Sequence, residues 1–202
     1  MDLIILAASG RTGLALVRQA LDRGHTVTAI ARDSGRIAVA DDPALRKVTA
    51  DVTDAAGLAA LVDRSSLVLS ALGADRAGVL AAGAKALVAA GPHRTIWLGA
   101  YGTGGSAAAA GEAARQLESM LGDRLADKVA ADQTILAHGG TVFHAGLLND
   151  GPQSPGRRTV GLSDAPPLAF SDTIARATVA AAMLDEAERP RFSGAIAVPL
   201  SS

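Results

Sequence analysis

The chain has 202 residues, is 49% hydrophobic and carries a net charge of only −1 at pH 7. This balance is typical of globular proteins and not of nucleic-acid-binding proteins, which usually have a basic excess. Cysteine is absent, which excludes disulfide bonds and thiolate metal sites. No apolar run approaches the roughly 18 residues of a membrane-spanning helix, and the N-terminus lacks the basic region of a signal peptide. We therefore expect a cytoplasmic protein without nucleic-acid or membrane partners.

The first half of the chain alternates short apolar runs with segments whose apolar residues recur at helical spacing. Short apolar runs between turn residues predict buried strands, and the helical spacing predicts amphipathic helices. The predicted strands span 3–7, 25–31, 47–49 and 67–71, and the predicted helices span 11–23, 55–62 and 79–90.

The second half continues this alternation less regularly. Strands are predicted at 95–98, 141–145 and 195–198, with a helix at 125–137. Ser171 and Asp172 are candidate caps for a last helix that runs to about residue 188. The Gly-rich segment 102–111 is either a mobile loop beside the site or a loose connection. The segment 149–167 is rich in Pro, Gly and Ser and is predicted to be a long loop.

Strands that alternate with helices indicate a parallel sheet covered on both faces. We therefore predict an α/β fold, a Rossmann-type doubly wound parallel sheet in one domain over residues 1–202. Ligands bind such sheets beyond the carboxyl ends of the strands. The substrate side is expected to come from roughly residues 100–202.

The turn between the first strand and the first helix is the main candidate for a phosphate site. Gly10 would let the backbone approach a pyrophosphate, and Gly13 would let the helix pack close to the strand. Alanine at position 7 replaces the usual first glycine. The residues of this turn that we expect to bind a dinucleotide are Ser9, Gly10, Arg11, Thr12 and Gly13.

The end of the second strand selects the cofactor. NAD sites place an acid there for the ribose 2′-OH, and NADP sites place an arginine for the 2′-phosphate. Arg32 and Arg36 can supply paired, charged hydrogen bonds, and Ser34 can add a hydroxyl. Asp33 could instead bind a ribose and favour NAD, or cap the following turn. The two arginines favour NADP(H) over NAD(H), with two solvated surface charges as the alternative.

The residues 3–36 resemble the opening of atypical short-chain dehydrogenases. More narrowly, they resemble the NAD(P)H-binding group that includes NmrA-like proteins and the biliverdin-IXβ and flavin reductases. Segment 50–54 (ADVTD) is similar to that group's adenine side, and segment 70–73 (SALG) to its turn after the fourth strand. Segment 170–177 is similar to the start of its C-terminal helix. The resemblance adds Asp51, Val52, Ala71, Leu72 and Gly73 to the cofactor-binding residues.

The same resemblance shows where this chain departs from dehydrogenase chemistry. Many of these enzymes carry Tyr-x-x-x-Lys on the helix after the fifth strand. Lys128 stands at the lysine position, but Arg124 replaces the tyrosine, and Gly99 stands where a serine is common. Tyr101 could donate a proton or merely pack, and Lys128 could hold the nicotinamide ribose or be an exposed charge. Histidine as a residue type can serve as a general acid near neutral pH, so His144 could act as an acid, or be structural.

Without an intact Tyr/Lys pair, the acceptor that fits best is one for which solvent can supply the proton. The sequence therefore favours an NADP(H)-dependent reductase of a flavin, quinone or similar conjugated small molecule. The alternative is a sensor that binds NADP(H) without turnover. No metal-ligand spacing is found among the four histidines, and either a monomer or a homodimer is compatible with the sequence.

Overall fold

A computed structural model describes residues 1–73 and 76–201 of the chain. The strands in these residues are β1 (Asp2–Leu6), β2 (Thr26–Ala31), β3 (Leu45–Thr49), β4 (Leu67–Ser70), β5 (Arg94–Ala100), β6 (Thr141–Ala145), β7 (Leu147–Asn149), β8 (Arg158–Gly161), β9 (Thr173–Ala175) and β10 (Ile196–Leu200). The helices are α1 (Arg11–Asp22), α2 (Ala55–Ala59), α3 (Val79–Ala90), α4 (Ala107–Ala110), α5 (Ala113–Leu121), α6 (Arg124–Ala137) and α7 (Arg176–Glu188). In the part of the chain so described, no helix is long and apolar enough to cross a membrane.

Eight strands form one sheet in the order β3-β2-β1-β4-β5-β6-β10-β8, and β7 pairs with β9 in a small second sheet. Neighbours in the large sheet are parallel except β8, which runs antiparallel to β10. The strand order reverses between β1 and β4, so their carboxyl ends diverge and leave a crevice. The predicted doubly wound, Rossmann-type sheet is confirmed.

Helices cover both faces of this sheet. α1 packs against α7 on one face, while α3 packs against α2 and α6 on the other. Two separate apolar cores result, one on each face. Because aromatic residues make up only 2% of the chain, aliphatic side chains fill most of both cores. Trp97 on β5 and Phe143 on β6 are the largest fully buried side chains.

The structure corrects several predictions in the second half of the chain. The Gly-rich segment 102–111 holds a short 3-10 helix, Gly104–Ser106, followed by α4. Helix α5 was missed, although its Ala, Leu, Gln and Glu residues are good helix formers. The predicted loop 149–167 contains β8, which is a strand because it pairs with the edge of β10. Sequence periodicity carries no record of such a tertiary partner.

The expected cap of the last helix was also wrong. Neither Ser171 nor Asp172 caps α7, which begins at Arg176 with Ala175 as its N-cap residue and no side-chain cap. Residues Thr173–Ala175 are extended instead, because they pair with β7. This pairing places Arg176 at the edge of the crevice between β1 and β4.

Candidate dinucleotide site

Two cavities, of about 370 and 570 Å³, lie at the carboxyl edge of the sheet. The cavity of about 570 Å³ is a cleft at the strand-order reversal. Its walls are the turns after β1, β2, β3 and β4 and the first residues of α3 and α7. They comprise Ala7, Ser9, Gly10, Arg11, Thr12, Ala31, Arg32, Ala50, Asp51, Val52, Thr53, Ala71, Leu72, Gly73, Arg76, Val79 and Arg176. Ten of the predicted cofactor residues are therefore brought together in one cleft.

The turn after β1 is built around two glycines with different roles. A Cβ atom on Gly13 would lie 2.2 Å from the Ala7 carbonyl oxygen and 2.8 Å from the Ala8 Cα. Gly13 lines no part of the cleft and instead allows α1 to pack directly against the turn. A Cβ atom on Gly10 would meet only the Ala7 carbonyl, at 3.3 Å. The space above Gly10 thus stays open toward the cleft.

Alanine at position 7 adopts the left-handed conformation that glycine usually supplies, with φ of +57°. The tight turn therefore forms without the usual first glycine, at a cost of about 1 kcal/mol. The Gly10 N–H donates back to the Ala7 carbonyl at 3.0 Å, and α1 begins at the next residue. Free N–H groups at the start of a helix bind phosphate oxygens, so this geometry fits a pyrophosphate.

The charge of the cleft also fits a phosphate-rich ligand. Arg11, Arg32, Arg76 and Arg176 line it, and Asp51 is the only acidic residue among the lining residues that the structure describes. Hydrogen bonds from the backbone and hydroxyl of Thr53 lower the pKa of Asp51, with a smaller contribution from Arg32. Asp51 is therefore an acceptor suited to a hydroxyl or amino group.

Two of the arginines share one carboxylate. Arg11 Nη1 and Arg176 Nη1 each lie 2.7 Å from an oxygen of Asp150, which follows β7. Desolvation raises the pKa of Asp150, but the two guanidinium groups outweigh it and the net shift is downward. This ion bridge links the start of α1 to the start of α7 at the mouth of the cleft.

The residues after β2 divide into those inside and those outside the cleft. Arg32 lines it, whereas Ser34 and Arg36 lie outside the lining residues. Ser34 accepts a hydrogen bond from the Thr49 hydroxyl at 2.9 Å, and Arg36 is exposed. Asp33 accepts the Gly35 N–H at 2.9 Å. The carboxylate of Asp33 thus caps the turn, the second of the two roles considered for it.

The smaller cavity, of about 370 Å³, lies at the carboxyl ends of β5, β6 and β10. Proline and aliphatic side chains make up much of its wall, with Arg158 and Asp172 as its charged residues. Tyr101 is part of this wall, and its hydroxyl donates to the Pro166 carbonyl at 2.7 Å. Burial raises the pKa of the Tyr101 phenol. All of its lining residues lie within 100–202, the part of the chain that was expected to form the substrate side.

The other two catalytic candidates lie away from both cavities. Lys128 is half-buried on α6, and burial lowers the pKa of its ammonium while the nearby Asp132 partly offsets this. His144 is 0% exposed. Its Nδ1 lies 2.6 Å from Ser106 Oγ, and its Nε2 lies 3.1 Å from Asp132 Oδ2. A side chain enclosed in this way cannot touch a ligand, which favours the structural alternative for His144.

Sequence reasoning missed several residues of these sites. Arg76 and Arg176 line the cleft, and Asp150 pairs with one of them. Arg176 reaches the cleft only because β9 sets the start of α7, and β9 has no periodic signal of its own. Ser106 and Asp132 surround His144, but they lie 38 and 12 residues from it in the sequence. No local motif could have connected them.

Several solved structures share the fold over the whole chain. The anaerobillin reductase ChuY of Escherichia coli O157:H7 is 20% identical with a TM-score of 0.78, and 100% of this chain and 97% of that chain are covered. The oxidoreductase ylbE of Lactococcus lactis is 17% identical with a TM-score of 0.83, covering 100% and 91%. A candidate NADH-flavin reductase of Streptococcus pneumoniae is 19% identical with a TM-score of 0.74, covering 100% of both chains. At these identities the likeness shows the fold alone.

No curated protein sequence matches the chain. The sequence profile of the NAD(P)H-binding family, in contrast, matches residues 7–190. This match spans the glycine turn, the arginine-lined cleft and the start of α7, which are the features that the geometry assigns to a dinucleotide. The chain belongs to the NAD(P)H-binding family.

Proposed function

We propose that the protein is an NADP(H)-dependent reductase of a flavin, quinone or similar conjugated small molecule. The observation that carries the proposal is the pairing of two cavities along one sheet edge. An arginine-lined cleft lies over the glycine turn, and a more apolar cavity lies beyond β5 and β6. An arrangement of this kind suits a phosphate-rich hydride donor beside a flat acceptor.

The preference for NADP(H) is based on charge. Arg32 lines the cleft at the end of β2, where a 2′-phosphate would lie. Its guanidinium can form two parallel hydrogen bonds to a phosphate. Asp33, which could otherwise have favoured NAD(H), already accepts the Gly35 N–H. The cofactor would supply hydride from its nicotinamide, while the protein orients it.

The proton that the acceptor takes up along with the hydride would come from solvent. Arg124 replaces the tyrosine of the usual Tyr/Lys pair, and Lys128 lines neither cavity. Tyr101 keeps its proton, because burial raises its pKa, and its hydroxyl is directed at the Pro166 carbonyl. Acceptors that form stable reduced anions need no positioned acid. ChuY, described as an anaerobillin reductase, and the pneumococcal protein, described as a candidate NADH-flavin reductase, support this class of acceptor.

The proposed activity is tested by mixing the protein with NADPH and a panel of flavins, quinones and linear tetrapyrroles. We expect oxidation of NADPH, followed at its absorbance band, with at least one conjugated acceptor. A Tyr101→Phe variant should retain most of this rate, since a positioned acid would contribute about 10²–10⁴-fold. A loss of that size with NADPH binding intact would show that Tyr101 is the proton donor.

A second candidate function is a sensor that binds NADP(H) without turnover. The observation that favours it is the absence of a free acidic hydroxyl or imidazole among the lining residues of the apolar cavity that the structure describes. Binding of NADPH without oxidation by any acceptor in the panel, together with a protein partner that dissociates when NADPH is added, would favour the sensor.

The cofactor preference has its own test. Arg32→Ala should weaken the binding of NADPH by about 1.5–3 kcal/mol, the range for a hydrogen bond to a charged group. It should leave the binding of NADH nearly unchanged. Calorimetric titration of both cofactors measures the two effects. Arg46→Ala, an exposed arginine on β3, is the matched control. Wild-type protein that binds NADH as tightly as NADPH would contradict the preference.

A further inference from the structure

Two arginines at the mouth of the dinucleotide cleft occupy the first positions of two helices. Arg11 is the first residue of α1, and Arg176 is the first residue of α7. Neither helix has a side-chain cap or an acidic residue in its first turn. The N-terminal end of a helix carries a partial positive charge, which favours anions and disfavours cations. Two helix ends and two guanidinium groups thus concentrate positive charge at one place.

One carboxylate contacts both of these arginines. Asp150 Oδ2 lies 2.7 Å from Arg11 Nη1, and Asp150 Oδ1 lies 2.7 Å from Arg176 Nη1. Both arginines line the cleft, whereas Asp150 is not among the lining residues that the structure describes. The carboxylate therefore holds the two guanidinium groups from outside the cleft wall. Its single negative charge does not balance the two arginines and the two helix ends.

Both guanidinium groups keep donors for a ligand. An arginine side chain has five N–H hydrogens on three nitrogens. Within residues 1–73 and 76–201, the side chains of Arg11 and Arg176 donate hydrogen bonds through Nη1 alone, and Asp150 is the acceptor. Nε and Nη2 of each arginine therefore remain available, and paired nitrogens of this kind suit phosphate oxygens.

The two side chains differ in how firmly the protein holds them. The side chain of Arg176 is 16% exposed, whereas that of Arg11 is 68% exposed. Packing thus fixes Arg176, the ion pair with Arg176 fixes Asp150, and Asp150 in turn restrains Arg11. A free arginine loses much rotamer freedom when it binds a ligand. A contact that orders Arg11 beforehand should therefore strengthen binding.

From this arrangement we propose that Arg11 and Arg176 clamp the pyrophosphate of the cofactor, and that Asp150 is the positioning residue that holds the clamp together. Arg11 follows Gly10 in the turn that fits a pyrophosphate, and Asp150 keeps Arg176 beside it. Arg32, in contrast, lies at the end of β2, where the adenosine ribose is expected. The proposal goes beyond the proposed function, because it concerns how the cofactor is held and not which molecule is reduced.

The clamp would make the C-terminal half of the chain part of the cofactor site. The glycine turn would hold the pyrophosphate from the side of α1, and Arg176 would hold it from the side of α7. NADPH and NADH share the pyrophosphate and differ only at the 2′-phosphate. The clamp should therefore strengthen the binding of both cofactors equally, which distinguishes it from the contribution expected of Arg32.

The test measures the binding of NADPH and NADH by calorimetry. Arg176→Gln should weaken the binding of both by the same factor, about tenfold to hundredfold, the range of a hydrogen bond to a charged group. Arg32→Ala should weaken the binding of NADPH alone. Arg157→Gln is the matched control, because Arg157 is similarly buried, at 23% exposure, and pairs with Asp185, but lines neither cavity. It should leave both affinities unchanged.

Asp150→Asn tests the positioning role while both arginines are kept. It should weaken the binding of both cofactors about threefold to tenfold, the range for ordering one side chain. In an Arg11→Gln background it should cause no further loss, because no exposed arginine is left to restrain. A merely structural role would weaken binding equally in both backgrounds. Circular dichroism and thermal unfolding show which variants keep the fold.

Unchanged affinities in a folded Arg176→Gln protein would overturn the proposal. So would a loss confined to NADPH, which would place Arg176 at the 2′-phosphate. Tighter binding in Asp150→Asn would show that the carboxylate competes with the cofactor, and would overturn the positioning role. A wild type that binds both cofactors, with the expected losses in the variants but no turnover of any acceptor, would reject the reductase and leave the clamp standing.

Discussion

In the turn after β1, the role of each glycine depends on how close the surrounding atoms lie, and not only on its being a glycine. Gly10 and Gly13 are three positions apart, yet one leaves an open wall and the other prevents a collision with the backbone. Ala7 forms the turn at a positive φ despite its Cβ. The sequence pattern predicted both glycines but could not rank their roles, because the pattern does not contain the distance to the Ala7 carbonyl.

Substitutions at the two glycines should therefore separate binding from folding. Gly10→Val should abolish NADPH binding with the fold intact, because the branched side chain would occupy the space of the pyrophosphate. Gly13→Ala should destabilise the protein by more than about 3 kcal/mol, because its Cβ would overlap backbone atoms of Ala7 and Ala8, which can move only if the turn itself is distorted.

Circular dichroism, thermal unfolding and NADPH titration on both variants provide the measurements. Gly161→Ala is a useful control, since a Cβ there would meet no atom within 4 Å and Gly161 lines neither cavity. Unchanged NADPH affinity in Gly10→Val would show that this turn does not hold the cofactor. A Gly13→Ala protein as stable as the wild type would contradict the role assigned to Gly13.

At the scale of elements, α3 and α6 are joined by a cap that crosses between helices. Asp127 on α6 is buried, and its two carboxylate oxygens accept the Leu80 N–H at 3.0 Å and the Ala81 N–H at 2.9 Å. These N–H groups belong to the first turn of α3, which has no side-chain cap of its own. The charge also favours this end of the helix dipole.

Asp127→Ala should destabilise the protein by about 1–3 kcal/mol, because it leaves the buried Leu80 N–H and the half-buried Ala81 N–H without partners. Asp127→Asn should cost less, since its amide oxygen can still accept one of them. Asp54→Ala, which removes an exposed cap of the short helix α2, is the comparison and should cost about 1 kcal/mol. Chemical denaturation measures all three. An Asp127→Ala cost no larger than that of Asp54→Ala would contradict the cross-helix role.

Elements also differ in how far they could be predicted. The strands and helices from β1 to α3 could be predicted from local periodicity, because each of them has an apolar pattern of its own. β8 and β9 do not, since each is extended only by pairing with a distant strand. For the same reason the glycine turn and Arg32 were predictable as site residues, whereas Arg76 and Arg176 were not. The contacts of His144 depend on α6, β5 and β6 meeting in space.

At the scale of the whole molecule, a network of charges joins the first and last helices on the face that carries α1 and α7. Arg23, just after α1, donates to Asp185 at 2.9 Å and to Glu188 at 3.0 Å, both on α7. Arg157 approaches Asp185 with two nitrogens, at 2.8 and 2.9 Å. His25 lies 2.9 Å from Glu188. The network thereby connects α1, α7 and the segment before β8.

This network should make the stability of the protein depend on pH in the acid range. Desolvation raises the pKa values of Asp185 and Glu188, but hydrogen bonds and charges from Arg157, Arg23 and His25 outweigh it, so both lie below their ordinary values of 3.8 and 4.5. A carboxylate whose pKa is lower in the folded state stabilises it above the unfolded pKa. That contribution is lost as the pH falls through the folded pKa.

We therefore expect the free energy of unfolding to decrease as the pH falls from about 5 to about 2. Asp185→Asn should lower the stability at pH 7 and flatten this decrease, because the amide cannot ionise. Arg157→Gln should also make the decrease in stability less steep, because it removes the cation that faces Asp185. Urea denaturation at a series of pH values measures all three proteins. If Asp185→Asn loses stability on acidification as steeply as the wild type, the acid sensitivity originates elsewhere, and the charge network does not couple the first helix to the last.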